Sequence, residues 1–253
     1  MSSTVVVLHA HPDDEAIFTG ATIRRVVDRG ARVVLVSATG GDAGDCHVDL
    51  AAGESLQRRR IGELERACEL LGVARLVLLG YGDSGAHRGP YAAGTLGAAP
   101  PAELAGRVER VVEQEDASAL LSYDRRGITG HIDHLQVHRA GRLVADRLGV
   151  VGYETTLDRA AVRRGCSPLA RQATDDPGRL GITADAVSLT VTATVPELLA
   201  KMAAMAAHHS QITSRWLDAS AFGHGYGCEW FVRRGASGIL DSLVAPSAEP
   251  MLV

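Results

Sequence analysis

Short apolar runs alternate with longer segments of helical periodicity through the first 150 residues of this chain. Continuous Val, Ile and Leu runs are typical of strands that a parallel sheet buries on both faces. The pattern predicts strands at 4–10, 31–36, 75–79 and 118–123, and helices near 15–29, 53–71 and 102–115. This β-α-β-α order predicts an α/β fold with a Rossmann-like, doubly wound, mainly parallel sheet and right-handed crossovers.

The pattern changes in the last hundred residues. Residues 158–183 predict a long loop, and Pro196 begins a predicted helix that runs towards His208. Between them, alternating apolar residues predict a half-buried strand at an antiparallel edge or cap. Its apolar positions are Val187, Leu189, Val191, Ala193 and Val195. The sequence therefore predicts a C-terminal antiparallel or cap region beside the parallel sheet.

Length and charge limit the classes of protein that fit. We expect a single domain over residues 1–253, with a core at about 4–153 and cap and C-terminal elements at about 154–253. A net charge of −4 predicts no general basic surface for nucleic acid. No apolar stretch approaches about 20 residues and the N-terminus lacks a signal-peptide pattern, so we expect a cytoplasmic protein without a membrane span. These features leave the oligomeric state open.

The segment from Ala10 to Glu15 directly follows the first predicted strand. Ligands of α/β sheets bind just beyond the carboxyl ends of the strands. His11 and Asp14 are three residues apart at the start of a predicted helix, close enough to hold one divalent metal, and Asp13 is left beside them. The alternative is a plain helix start, in which the acidic residues cap the helix and offset its dipole.

A second cluster, Gly130 to His138, follows the predicted strand at 118–123. Catalytic zinc typically takes three protein ligands and keeps one position for water. His11, Asp14 and one histidine of this second cluster complete such a set. Its histidines are His131, His134 and His138.

The sequence resembles the PIG-L/LmbE-like zinc-dependent N-deacetylases in four motifs. The first, AHPDDE, is complete at 10–15, and the second is His131-Ile132-Asp133-His134, with Ile where Pro is common. A third matches Arg60, Glu63, Ala67 and Leu71-Gly72, and a fourth matches Ala207 to Gln211. The resemblance spans roughly residues 4–231.

The resemblance implies a role for each matching residue. His11, Asp14 and His134 would bind one Zn²⁺ per chain, with Fe²⁺ as an alternative metal for such a ligand set. Asp13 would be the general base. His131 would be the acid or electrophile, oriented by Asp133. Arg60 would bind a polar group of the substrate or brace the site.

The function that follows is hydrolysis of the N-acetyl group of an N-acetylglucosamine-type sugar conjugate, either a thiol-precursor pseudodisaccharide or a glycosylated natural product. The expected partner is therefore a small aminosugar molecule. The alternatives are an amidase acting on another N-acylated amine and a catalytically silent metal- or sugar-binding module. We expect the loops at 82–101 and 155–183 to select the substrate.

Two other motifs are weak. Gly82-Asp83-Ser84-Gly85 resembles the nucleophile segment of chymotrypsin-like proteases, but the α/β pattern offers no β-barrel for it. The Rossmann-like order suggests dinucleotide binding, but acidic residues replace the glycine-rich turn that binds a pyrophosphate.

Overall fold

The computed structural model describes residues 3–86, 89–166 and 180–244. Within these ranges the strands are β1 (Thr4–His9), β2 (Arg32–Thr39), β3 (Arg75–Tyr81), β4 (Ala117–Tyr123), β5 (Val151–Thr156), β6 (Leu189–Thr192) and β7 (Cys228–Arg234). The α-helices are α1 (Asp14–Asp28), α2 (Leu56–Leu71), α3 (Pro101–Gln114), α4 (Gly127–Gly130), α5 (Ile132–Leu148), α6 (Arg159–Arg163), α7 (Val195–Ala207), α8 (Ala219–Tyr226) and α9 (Ile239–Leu243).

These strands form one sheet in the order β3-β2-β1-β4-β5-β7-β6. Strands β1 to β5 pair in parallel, whereas β7 is antiparallel to both β5 and β6. The chain moves outward from β1 in one direction and from β4 in the other. Right-handed crossovers then put α1 and α2 on one face and α3 and α5 on the opposite face. The switch point between β1 and β4 is where doubly wound sheets bind ligands.

The predicted α/β class is confirmed, and the early elements lie within a few residues of their predicted bounds. Residues Val5–Leu8 of β1 are almost completely buried, as the apolar run predicts. Helix α2 begins at Leu56 rather than 53 because the Ser55 side chain accepts the Arg58 N–H as an N-cap. Gly72, at φ 80°, ends the same helix.

The predictions for the C-terminal part are partly wrong. The predicted strand at 187–195 is only four residues long, because Thr194 and Glu197 form a capping box that starts α7 at Val195. The predicted loop at 158–183 contains α6, capped by Asp158.

Strands β5 and β7 were not predicted. The predicted core boundary at about 153 falls inside β5. The antiparallel character of the C-terminal region is confirmed.

Parts of the two predicted specificity loops, residues 87–88 and 167–179, lie outside the described residues. Among the helices of the described ranges, none combines the length and the apolar character that crossing a bilayer requires. The cytoplasmic location stays a prediction.

Candidate metal centre and active site

The first predicted cluster lies where β1 ends and α1 begins. His11 and Pro12 form the connection, and Asp14 is the first residue of α1. Asp13 occupies the N-cap position, yet its side chain makes no capping hydrogen bond and its φ is 114°. Positive φ is uncommon for a residue other than glycine, and such strain concentrates at functional sites. Capping of α1 therefore does not explain the Asp13 side chain.

The second cluster lies where β4 ends and α5 begins. His131 is the N-cap of α5, and its Nδ1 accepts the Asp133 N–H at 3.2 Å. His134 lies in the first turn of the helix. Gly127 has a φ of 58°, and a Cβ there would be 2.8 Å from the His134 Cβ, so this position requires glycine. Because β1 and β4 are neighbours, the two clusters meet at one edge of the sheet.

Three atoms from the two clusters form a nearly equilateral triangle. His11 Nδ1 lies 3.4 Å from Asp14 Oδ2 and 3.3 Å from His134 Nε2. The third side, between His134 Nε2 and Asp14 Oδ2, is 3.4 Å. In a tetrahedral zinc site with ligand distances of about 2.0–2.1 Å, neighbouring ligand atoms are about 3.3–3.4 Å apart. The triangle therefore has the dimensions of one face of a zinc tetrahedron.

Hydrogen bonds behind the two imidazoles direct their lone pairs into this triangle. His134 Nδ1 donates to the Gly127 carbonyl at 3.1 Å, which leaves Nε2 as the acceptor nitrogen. His11 Nε2 lies 3.2 Å from Asp133 Oδ2, and donation there leaves Nδ1 as the acceptor. Histidines that bind metals are oriented by such contacts to a carbonyl or a carboxylate. Two acceptor nitrogens and the Asp14 carboxylate then face one another, which fits a bound cation.

The charges of the cluster also fit a cation. Burial lowers the pKa of His11, but hydrogen bonds to Asp133, Asp14 and Asp83 outweigh it and hold the pKa well above its ordinary value. Burial raises the pKa of Asp14, but His134 and His11 outweigh it and hold this pKa well below its usual range. The fully buried Asp133 Oδ1 has no hydrogen-bond partner among the described residues. The carboxylates thus outnumber the cationic groups that the protein supplies.

Asp13 lies beside the triangle and is held by Arg60. The Arg60 guanidinium donates to Pro12 O at 2.6 Å, to Gly41 O at 2.9 Å and to Asp13 Oδ2 at 3.2 Å. Burial raises the pKa of Asp13 to about 6, an effect that Arg60 opposes and Asp14 reinforces. Arg60 is only 3% exposed. Its contacts are those of a bracing residue, and a contact with substrate stays a prediction.

Asp133 contacts both His131 and His11. Its carboxylate accepts the Ser84 N–H at 3.0 Å and faces His11, so only its backbone contacts His131. Asp133 thus contacts His131 through its backbone N–H, and its role in orienting that histidine stays a prediction. A ring nitrogen of His131 lies within 4.8 Å of those of His11 and His134. Burial lowers the pKa of His131, and the two other histidines lower it further.

His138, the third histidine of the second cluster, contacts the backbone of β4. His138 Nδ1 donates to the Tyr123 carbonyl at 2.9 Å, which ties α5 to the end of β4. Of the three histidines that the sequence offers, His134 completes the triangle with His11 and Asp14.

Two residues that contact the triangle were missed as members of the site. Asp83 follows β3, and its Oδ1 lies 3.5 Å from His11 Nε2. Tyr123 ends β4 and donates its hydroxyl to Asp14 Oδ2 at 2.6 Å. Both stand at the carboxyl end of a parallel strand, the signal that identified the first cluster.

The late motif supports the site from behind. His208 Nε2 lies 2.6 Å from Glu15 Oε1, and Glu15 Oε2 accepts the Asp13 N–H at 3.0 Å. Ser210 donates its N–H and hydroxyl to Glu63 of α2 at 3.0 and 2.6 Å. The motif thus joins the C-terminal end of α7 to α1 and α2.

Comparison with solved structures agrees with this fold. A deacetylase of the teicoplanin biosynthesis pathway has a TM-score of 0.65 at 17% identity, with 93% of this chain and 100% of that chain covered. N,N'-diacetylchitobiose deacetylase from Pyrococcus horikoshii has a TM-score of 0.59 at 20% identity, with 92% and 84% covered. At these identities the likeness shows the fold alone.

Comparison with curated sequences agrees with the motifs. A protein of Kineococcus radiotolerans named 1D-myo-inositol 2-acetamido-2-deoxy-alpha-D-glucopyranoside deacetylase is 34% identical, over 83% of this chain and 69% of the relative. A protein of the same name from Thermobispora bispora is 35% identical, over 82% of this chain and 79% of the relative. The sequence model of the PIG-L family, described as GlcNAc-PI de-N-acetylase, matches residues 6–145. The chain therefore belongs to the PIG-L family, as its motifs predict.

Proposed function

We propose that this protein is a zinc-dependent N-deacetylase that releases acetate from an N-acetylglucosamine-type sugar conjugate. The triangle of His11 Nδ1, Asp14 Oδ2 and His134 Nε2 carries the proposal, because its dimensions and lone pairs suit one zinc ion. Asp13 adds a carboxylate beside the triangle that is not part of it. The names of the relatives support the same chemistry.

The reaction needs an attacking water, stabilisation of the carbonyl oxygen and a proton for the leaving nitrogen. Zinc, when bound, lowers the pKa of a water to about 7 and polarises a carbonyl. Asp13 accepts a proton of the attacking water on its carboxylate, while Arg60 and Glu15 hold it in place. The water oxygen bonds to the carbonyl carbon, the C–N bond breaks, and the products are acetate and a free amine.

His131 is the donor in this scheme. Its Nδ1 accepts the Asp133 N–H, so the proton of the neutral ring is on Nε2. That N–H can stabilise the carbonyl oxygen as a hydrogen-bond donor, and the proton that Asp13 has accepted from the water can pass to the leaving nitrogen. Asp133 acts instead on His11, whose Nε2 it faces.

We infer that the conjugate is an N-acetylglucosaminyl inositol. The supporting observation is that relatives sharing 34–35% identity over more than four fifths of this chain carry that substrate in their names. A glycosylated natural product is the less supported alternative, because the teicoplanin-pathway deacetylase shares only 17% identity.

The test combines metal analysis with acetate release. The purified protein is assayed with N-acetylglucosaminyl inositol, N,N'-diacetylchitobiose, an N-acetylated glycopeptide and a simple N-acylated amine. We expect one zinc per chain and fastest acetate release from the inositol conjugate. Iron as the bound metal would correct the choice of metal.

The matched control is Asp13→Asn, which keeps the proposed ligands. Turnover of the simple N-acylated amine alone would favour a general amidase. Bound zinc without turnover of any compound would favour a silent binding module.

A further inference from the structure

Tyr123 contacts two of the three residues that form the triangle. It is the last residue of β4 and is completely buried. Its ring stacks on the His134 ring, with centroids 4.1 Å apart and planes 6° from parallel. Its hydroxyl donates to Asp14 Oδ2 at 2.6 Å. One side chain thus lies against an imidazole from the second cluster and a carboxylate from the first.

The direction of the Tyr123 hydroxyl is set by the backbone of the neighbouring strand connection. The Ala10 N–H donates to the hydroxyl oxygen at 2.9 Å. Because an N–H cannot accept, the single hydroxyl proton is left for Asp14. The same Asp14 oxygen accepts the His11 N–H at 2.9 Å. The carboxylate is therefore oriented by two donors that belong to the protein.

The ring of Tyr123 also packs against two further aromatic rings. Phe18 packs edge-on against it at 6.5 Å, and His9 lies at 5.2 Å between ring centroids. Because the His134 ring is stacked on the Tyr123 ring, rotation of the His134 ring would break this contact. His134 is fixed a second time through Nδ1 and the Gly127 carbonyl.

We infer that Tyr123 is a positioning residue for zinc, which preorders Asp14 through its hydroxyl and His134 through its ring. The inference rests on the metal site of the proposed function. Ligands that are already aligned lose little conformational freedom when an ion binds, so their supports contribute to metal affinity. Tyr123 itself contacts no reacting atom in this role.

The test uses Tyr123→Phe, which keeps the ring and removes the hydroxyl. The zinc dissociation constant of the apo protein is measured by competition with a chromophoric chelator. We expect zinc binding to weaken about ten- to a hundredfold, the usual cost of removing a partner of a metal ligand. Tyr123→Leu also removes the stacking and is expected to weaken binding further.

The matched control is Tyr153→Phe. Tyr153 lies on the adjacent strand β5, is completely buried, and donates its hydroxyl to Asp241 Oδ2 at 2.7 Å. Both substitutions remove a hydrogen bond from a buried tyrosine to an aspartate, and thermal unfolding measures what each costs the fold. We expect an unchanged zinc dissociation constant for Tyr153→Phe.

A double variant shows whether Tyr123 acts through Asp14. If it does, Tyr123→Phe weakens zinc binding less in the Asp14→Asn variant than it does in the wild type. Equal zinc affinity in wild type and Tyr123→Phe would overturn the inference, and so would an equal loss in Tyr153→Phe. Tight zinc binding without acetate release from any conjugate would contradict the proposed reaction and leave the role of Tyr123 intact.

Discussion

Two buried clusters of charged residues contact α1: the Lys201–Glu229 cluster, whose charges balance, and the cluster around the metal triangle, whose charges do not. In the Lys201–Glu229 cluster, Lys201 Nζ of α7 and Glu229 Oε1 of β7 lie 2.7 Å apart, and each side chain is 1% exposed. Glu229 also accepts the N–H groups of Ala21 and Thr22 at 2.9 and 2.8 Å. Every charge in this cluster has a partner within the protein.

The cluster around the metal triangle, at the carboxyl ends of β1 and β4, lacks such balance. Asp14, Asp83 and Asp133 surround His11, and one oxygen of Asp133 has no partner among the described residues. An excess of buried carboxylates over cationic groups is costly, and a bound cation would offset it. The comparison teaches that a cluster with balanced charges joins elements of the fold, whereas a cluster with excess carboxylates is a candidate site for a cation.

The largest effect is expected from breaking the Lys201–Glu229 cluster. Lys201→Met leaves the Glu229 carboxylate buried without its cation and should lower the free energy of unfolding by about 3–5 kcal/mol. Chemical denaturation measures the loss, and zinc bound per folded chain should not change. The double variant Lys201→Met/Glu229→Gln is the control and should lose less. A single-variant loss under about 1 kcal/mol would mean that the pair does not hold α7 to β7.

Asp13→Asn tests the group beside the metal triangle. We expect turnover to fall by about 10²-fold or more, because a positioned proton acceptor is lost, while zinc content stays at the wild-type level. Asp14→Asn is the control, since it should reduce zinc retention. If Asp13 were only a helix cap, its variant would lose about 1 kcal/mol of stability and keep its activity.

Adding zinc should balance the charges of the cluster around the metal triangle and stabilise the fold. Free zinc at a hundredfold excess over its dissociation constant should raise the free energy of unfolding by about 2.7 kcal/mol, and a chelator should reverse the gain. The control is His134→Ala, which removes one corner of the triangle and should show almost none of this gain. A wild-type melting curve that zinc does not move would contradict the metal site.

The smallest effect concerns the His208–Glu15 pair, whose contribution to stability should depend on pH. Burial lowers the pKa of His208, but Glu15, Asp13 and Glu63 outweigh it and raise the pKa above 6.5. A group whose pKa is raised in the folded state stabilises fully below its unfolded pKa and loses this contribution as the pH rises through the folded pKa.

The stability difference between wild type and His208→Gln should therefore shrink as the pH rises above about 6.5. Denaturation at several pH values measures it. Ser210→Ala removes a hydrogen bond to Glu63 that involves no histidine, and its stability difference should stay constant over this pH range. A His208 difference that grows with pH would reverse the sign of this linkage.

The local sequence determined the α/β class, most of the first seven elements, and the strand ends at which His11, Asp14, His131 and His134 stand. These features depend on neighbouring residues, because apolar periodicity and capping chemistry act within a few positions along the chain. The same rule was available for Asp83, which follows β3, and for Tyr123, which ends β4, but no local pattern distinguishes them from other residues at strand ends.

Only the tertiary structure decided which groups meet. The partner of the Asp133 carboxylate is His11, 122 positions away, and Tyr123 reaches Asp14 across 109 positions. Strand β7 enters the sheet between β5 and β6, although β6 precedes it in the chain. Such contacts depend on the register of paired strands, where a shift of one residue turns every side chain to the opposite face. The sequence by itself therefore determined which residues stand at the edge of the sheet, and the packing of distant segments decided their partners.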